Sequence, residues 1–273
     1  MTSAPRITVV GSANVDVVAR CERLPRAGET ITSTRLERFP GGKGANQAVA
    51  AARLGADARF VGRIGADALV LRSLQQEGVD TSGVVREEGE SGLALILLDA
   101  GGENMIVVAP GANAHLAPEE VNVGDADAVI CQLEIPSAAV AAAAAQAPFF
   151  CLNAAPARAE PDLEPDLLVV NRYEYELVGP SRGLVALTLG AEGAVLLDGG
   201  RELARATPPP VHAIDATGAG DAFCAALVLS LLEGRAHPDA LRRACAAGAL
   251  ATSRLGAQPS LPTADEVDAI LAA

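Results

Sequence analysis

Residues 215–234 read DATGAGDAFCAALVLSLLEG. Four small residues, Ala216, Gly218, Ala219 and Gly220, stand between Asp215 and Asp221, and an apolar run follows at once. A short glycine-rich turn at the start of a helix bares backbone N–H groups and makes an anion hole, usable for a charged transition state. Asp221 falls in the first turn of the helix expected over 218–233. That helix is apolar almost all round, so it should be deeply buried, and its one early carboxylate does not belong to an ordinary solvated face. Facing a substrate hydroxyl, Asp221 can act as a general base. The plainer role is an aspartate that favours a helix N-terminus.

Working outward, short β-branched or apolar runs predict strands at 7–10, 58–61, 128–131, 149–152, 167–170 and 185–189. Helices are expected over 43–54, closed by Gly55, over 68–76, closed by Gly78, and over 136–146, 218–233, 238–254 and 263–271. Alternating strands and helices argue for a parallel sheet between helical layers. Residues 30–39 read as a strand or hairpin, and 93–98 with 105–109 as a hairpin around DAGGEN. These strand-like segments, roughly 14–39 and 91–109, break the rhythm and suggest a small separate sheet over one edge. One place fits poorly: a parallel crossover needs a dozen or more residues, and NRYEYELVGPSRG (171–183) leaves room for a single helical turn.

The 273 residues suit one α/β domain. Half are hydrophobic but only 3% aromatic, with no Trp, so the core must be built from Ala, Val and Leu. A formal charge of −13 disfavours nucleic acid and anionic membranes as partners. Cys21, Cys131, Cys151, Cys224 and Cys245 lack CxxC spacing and read as reduced, buried thiols of a cytoplasmic protein. No leader peptide and no run of membrane-spanning length is read.

Five further segments carry chemistry. GGKGANQAVAAARLG (41–55) leads glycines into a helix, a setting for an anion or a hydroxyl-rich ligand, with Lys43 and Asn46 on one helix face. In GSANVDVV (11–18), Asn14 and Asp16 lie just beyond the first strand and face one way if the segment stays extended, able to hold vicinal hydroxyls. CQLEIP (131–136) places Glu134 past another strand. NRYE (171–174) does the same for Asn171 and Glu174, a carboxylate suited to Mg²⁺ and its waters near a triphosphate. TLGAEG (188–193) is a glycine-containing turn that could line phosphates or merely join two strands.

Taken together the chain resembles the PfkB family of carbohydrate kinases over nearly its full length. The likeness runs from GSANVDVV through GGKGANQAVAAARLGA, SGLALILLDAGGENMIVVAPGAN, QLEIP, NAAPAR, TLGAEG and DATGAGDAF to GAQPSLP. The resemblance implies one kinase domain over 1–273 with a ribokinase-like three-layer α/β/α sandwich and a small β-sheet lid. It implies transfer of the ATP γ-phosphate to a primary sugar hydroxyl, O5 of D-ribose giving ribose 5-phosphate. Substrate contacts would then be Asn14, Asp16, Gly42, Lys43, Asn46, Glu134 and Asp221. Asp221 would be the base, and the turn Gly218, Ala219 and Gly220 the anion hole. ATP would lie on Asn171, on Thr188, Leu189, Gly190, Ala191, Glu192 and Gly193, on Gly220 and near Cys245, with Glu174 organising Mg²⁺. A K⁺ activator would sit among Asp215, Thr217, Ala251, Arg254, Gly256 and Ser260, and the lid would mediate a homodimer. The chain is shorter than typical members of the family, largely because the helix that the resemblance leads one to expect after NRYE is missing. Two alternatives stay open: a family member acting on another sugar or a nucleoside, and a catalytically silent sugar-binding protein.

Overall fold

The computed structural model describes residues 3–158 and 163–273. The chain opens with β1 (Arg6–Val10), β2 (Asn14–Arg20) and β3 (Arg35–Gly41), and α1 (Lys43–Arg53) returns it to β4 (Asp57–Ile64). Next come α2 (Leu69–Gln76), β5 (Asp80–Arg86), β6 (Gly92–Leu98), β7 (Asn104–Ala109), β8 (Ala128–Gln132), α3 (Ser137–Gln146), β9 (Phe150–Asn153) and β10 (Leu167–Asn171). The rest is α4 (Arg172–Val178), β11 (Leu184–Thr188), β12 (Ala194–Asp198), β13 (Arg201–Ala206), α5 (Ala219–Leu232), α6 (His237–Ala251), α7 (Ala257–Ser260) and α8 (Ala264–Ala272).

Successive side chains of a strand point to opposite faces, and β1 serves two cores accordingly. Ile7 and Val9 pack with α1, α2, α5, α6 and α8 on one face. Val10 packs with α3, Leu116 and Val123 on the other. The result is the three-layer α/β/α sandwich. α5 lies in the larger core with every residue from Asp221 to Ser230 buried, as its all-round apolar character requires.

The large sheet runs β13-β12-β11-β10-β9-β8-β1-β4-β5. β1 pairs in parallel with β4 on one side and β8 on the other, so the strand order reverses there. In such sheets the crevice outside the carboxyl ends of the strands is where ligands bind. A second sheet, β3-β2-β6-β7, is formed by the segments that interrupt the α/β rhythm; β2 pairs with β6 in parallel and with β3 antiparallel.

Two sequence expectations are corrected. The sheet is not parallel throughout: β12 and β13 form an antiparallel edge hairpin after β11. Its turn is Gly199-Gly200, both at positive φ (54° and 81°), the backbone that a two-residue hairpin asks of glycine. β5, in the weakly apolar DTSGVVR, adds the opposite edge. The segment after NRYE is also not a single turn. It forms the seven-residue α4, because Asn171 Oδ1 accepts from Glu174 N (2.8 Å) and Glu174 Oε2 accepts from Asn171 N (2.7 Å). This reciprocal capping box stabilises a helix start that length alone argued against.

Candidate active site

The carboxyl ends of β1, β8, β9 and β10 open into a cavity of about 750 Å³, roofed by β2, β6 and β7. Asn14, Asp16, Gly42, Lys43, Asn46, Glu134 and Asp221 all line it. β2 is extended, so Asn14 and Asp16 share its inner face. Gly42, at φ 90°, turns the chain from β3 into α1 so tightly that a Cβ there would lie 2.7 Å from Asn14 N. Lys43 and Asn46 follow on the first turn of α1.

Buried partners orient these groups. Asn113 Nδ2 donates to Asn14 Oδ1 (2.7 Å), while Asn113 Oδ1 accepts from Ala13 N (2.9 Å). Asn14 is thereby held with its NH2 group free for the cavity. Ser12 Oγ donates to Glu134 Oε2 (2.5 Å). Asn46 Nδ2 donates to Asp221 Oδ2 (3.0 Å), and Asn46 Oδ1, also buried, has no partner among the described residues. Such an orphaned buried acceptor is costly unless a ligand hydroxyl completes it.

The electrostatics follow from burial. Asp16, 8% exposed, has its carboxyl pushed up to about 7, first by desolvation and then by the charges of Glu134 and Asp221. Burial also raises the Asp221 carboxyl, although Lys43 and the amides of Asn46 and Gln47 pull it back. Burial alone would lower the Lys43 ammonium, but Asp221, Glu134 and Glu174 outweigh it and leave it raised. Lys43 is therefore the positive centre among carboxylates that repel one another.

A second cavity, about 550 Å³, lies beyond the N-terminus of α5. Its walls are Gly190, Ala191 and Gly193, the Pro208–Pro210 run, and Ala219, Phe223, Cys245 and Gly248. The two cavities share Thr188, Ala216 and Gly220. Burial pushes the Cys245 thiol up to about 11, and its Sγ reaches only the Ala206 carbonyl, at 3.7 Å.

Asn171, Glu174, Thr188, Asp215, Thr217 and Gly218 line the first cavity, so the sequence motifs converge. Leu189, Glu192, Ala251, Arg254, Gly256 and Ser260 line neither. Glu192 is instead exposed and paired with Arg172, and Arg254 is paired with Glu266. Around the DATGAGD turn, Asp215 Oδ1 accepts from Thr217 N (2.9 Å) and Oγ1 (2.6 Å), and Asp215 Oδ2 from Gly256 N (2.9 Å). Ala219 N, one of the expected anion-hole donors, is instead bonded to Ala216 O at 3.2 Å, and Ala222 N donates to Gly218 O at 2.9 Å. Sequence reasoning missed Asn153, which lines the first cavity, and Ser12, Gln47 and Asn113, which stand behind its wall. The signal for Gln47 was its place in GGKGANQ, and for Asn113 the APGAN segment.

A model of the pfkB family of carbohydrate kinases matches residues 4–264. The chain is 36% identical to a ribokinase of Bacillus subtilis (strain 168), covering 97% of this chain and 99% of the relative. It is 35% identical to one of Haemophilus influenzae, covering 95% and 96%. Among solved structures, a ribokinase from Thermotoga maritima superposes with a TM-score of 0.88 at 31% identity, covering 98% and 99%. An Arabidopsis thaliana ribokinase complexed with ribose and ATP gives 0.86 at 32%, covering 98% and 99%. The chain belongs to the pfkB family of carbohydrate kinases.

Proposed function

We propose that the protein phosphorylates D-ribose at O5 with ATP, releasing ribose 5-phosphate and ADP. The observation that carries this reading is the seam: a polar cavity and an apolar one meet at Ala216, Gly220 and Thr188, beside the Asp221 carboxylate. The Arabidopsis relative is complexed with ribose and ATP, and of the two adjoining cavities we assign the polar one to the sugar and the apolar one to the nucleotide.

In this reading Asn14 donates and Asp16 accepts at vicinal hydroxyls, Asn46 Oδ1 takes a third, and Lys43 with Glu134 fixes the remaining edge of the sugar. Asp221 removes the proton of the 5-hydroxyl as it attacks the γ-phosphorus. Charge developing on the transferred group meets the N–H groups of the α5 first turn, with the positive end of the helix dipole behind them. Phosphoryl transfer asks the protein chiefly for such positioning and charge stabilisation.

Glu174 caps α4 with one carboxylate oxygen and also faces the cavity. It fits a hard divalent cation held through water, and Mg²⁺ there would offset triphosphate charge. Asp215, Thr217, Ala251, Arg254, Gly256 and Ser260 would hold K⁺ largely through oxygens; Ser260 Oγ and Thr217 O already stand 3.5 Å apart. The outer face of the small sheet carries exposed Leu36, Leu95, Met105 and Val107, an apolar area of the kind that marks an interface. We assign it to a homodimer formed through this lid. The five cysteines are buried and free, which fits a reducing cytoplasm.

The test is a coupled ADP-release assay over pentoses, hexoses and nucleosides, with and without K⁺. D-ribose should be turned over best. Faster turnover of a hexose or nucleoside would overturn the substrate, and ribose binding without nucleotide binding would overturn catalysis.

A further inference from the structure

A chain of buried amides, reaching the cavity wall at Asn153, touches Asp221 at Oδ1. Asn153 Nδ2 donates to the Val169 carbonyl at 3.2 Å. Gln47 Nε2 donates both to Asn153 Oδ1 (3.1 Å) and to Asp221 Oδ1 (2.9 Å). Gln132 Nε2 closes the chain on Gln47 Oε1 at 2.5 Å. Gln47 and Gln132 are completely buried and line neither cavity.

The direction of every bond is dictated by one atom. A main-chain carbonyl can only accept, so the Asn153 NH2 group must face Val169 and its oxygen must face Gln47. Gln47 then has to present its NH2 group, the only end that satisfies Asn153 Oδ1 and Asp221 Oδ1 together. Turned the other way, its oxygen would meet two oxygens at hydrogen-bond distance. Gln132 occupies the remaining Gln47 oxygen and removes that option. Room for Gln132 is kept by Gly11, where a Cβ would lie 2.0 Å from Gln132 Oε1.

We infer that Gln47 is a positioning residue for phosphoryl transfer: the amide chain anchored on the Val169 carbonyl fixes its NH2 group on Asp221 and holds that carboxylate as a proton acceptor aimed into the sugar cavity. The inference rests on the reading of Asp221 as the base. Its physical content is that a carboxylate pressed into a core needs hydrogen bonds to remain ionised. Asn46 satisfies Oδ2 and Gln47 satisfies Oδ1. Both donors are neutral, so they fix the carboxylate without neutralising it. The charged groups facing Asp221 are Lys43 from α1, Glu134 beyond β8 and Asp16 from β2. Of these only Lys43 favours the ionised form, so loss of the Gln47 donor leaves Asp221 more readily protonated.

The experiment uses Gln47→Met, which keeps length and removes the donor. With D-ribose and ATP, kcat should fall about 10- to 100-fold, the value of a hydrogen bond to a charged group. The ribose KM should stay within about threefold, and the acid limb of kcat/KM should move up by about one pH unit. Gln132→Met, one link further out, should shift the same quantities in the same directions but less, about threefold in kcat. An unchanged kcat and acid limb in folded Gln47→Met overturns the inference, as does a loss confined to KM or melting temperature. If Gln47→Met does not fold, Gln132→Met decides, and wild-type kcat and acid limb in it overturn the inference. Asp221→Asn separates the two readings: if it stays active, the base assignment fails, whereas if it is inactive and Gln47→Met behaves as wild type, only the role of Gln47 fails.

Discussion

The two cavities on either side of Gly220 are built on opposite principles. The first is crowded with polar side chains, and those that must point a fixed way are tied by neighbours: Asn14 by Asn113, Glu134 by Ser12, and Asp221 by Gln47 behind the wall and by Asn46 within it. The second has almost no polar side chains and is walled by glycine, alanine, proline and Phe223. A site that discriminates hydroxyls needs donors and acceptors set in advance, because each one left unpaired by the wrong ligand is a penalty. A planar base and a chain of phosphates can be held by apolar walls and backbone N–H groups. The first cavity thus offers a ligand mainly polar side chains and the second mainly apolar walls and backbone.

The sharpest way to break this contrast is Asp221→Asn. It should lower kcat by about a thousandfold or more while ribose affinity, measured by titration calorimetry, stays within about tenfold. Near-normal turnover would remove Asp221 from the chemistry. Next in size is Gly220→Val. A Cβ at Gly220 meets nothing within 4 Å, so the variant should fold with an unchanged melting curve. Its branches would nevertheless occupy the seam, and kcat should fall about 100-fold, the cost of misplacing reacting atoms by an ångström. Undiminished transfer would show that the phosphoryl group crosses elsewhere.

The third prediction concerns pH. Asp16 must be ionised to accept from two hydroxyls, yet its carboxyl sits at about 7 in the free protein. Ribose Kd should be flat above pH 7 and rise by up to about tenfold per unit below it. The same shift has a stability consequence. Because the native value lies above the ordinary 3.8, the neutral group stabilises the fold below about pH 4, and that contribution is lost as pH rises through 7. Asp16→Asn should therefore gain about 2 kcal/mol of stability at pH 8 and much less at pH 5, while losing ribose affinity. Equal stability changes at the two pH values in urea titrations would count against this account. Smallest is Cys245→Ala: its thiol makes one long contact, so the KM for ATP should change by no more than about threefold. A tenfold change would mean that side-chain recognition extends to the nucleotide side.

Much of this was legible in the sequence because it is local. Short β-branched or apolar runs located β1, β4, β8, β9, β10 and β11, and glycine stops placed the ends of α1 and α2. The unbroken apolar character of α5 announced its burial. The Gly199-Gly200 turn and the N-x-x-E capping box of α4 are equally local signals. In the site, the groups that face the ligand stand in recognisable motifs: Asn14 and Asp16, Lys43 and Asn46, Glu134, Asp221.

The groups that orient them do not. Asn113 is 99 residues from Asn14, Gln47 is 174 from Asp221 and Gln132 is 85 from Gln47. Motif and periodicity determined which side chains reach the cavity and which helix carries the carboxylate. The packed sheet alone decided which amide points which way, because that choice is made by hydrogen bonds between strands and helices that meet only when the chain is folded.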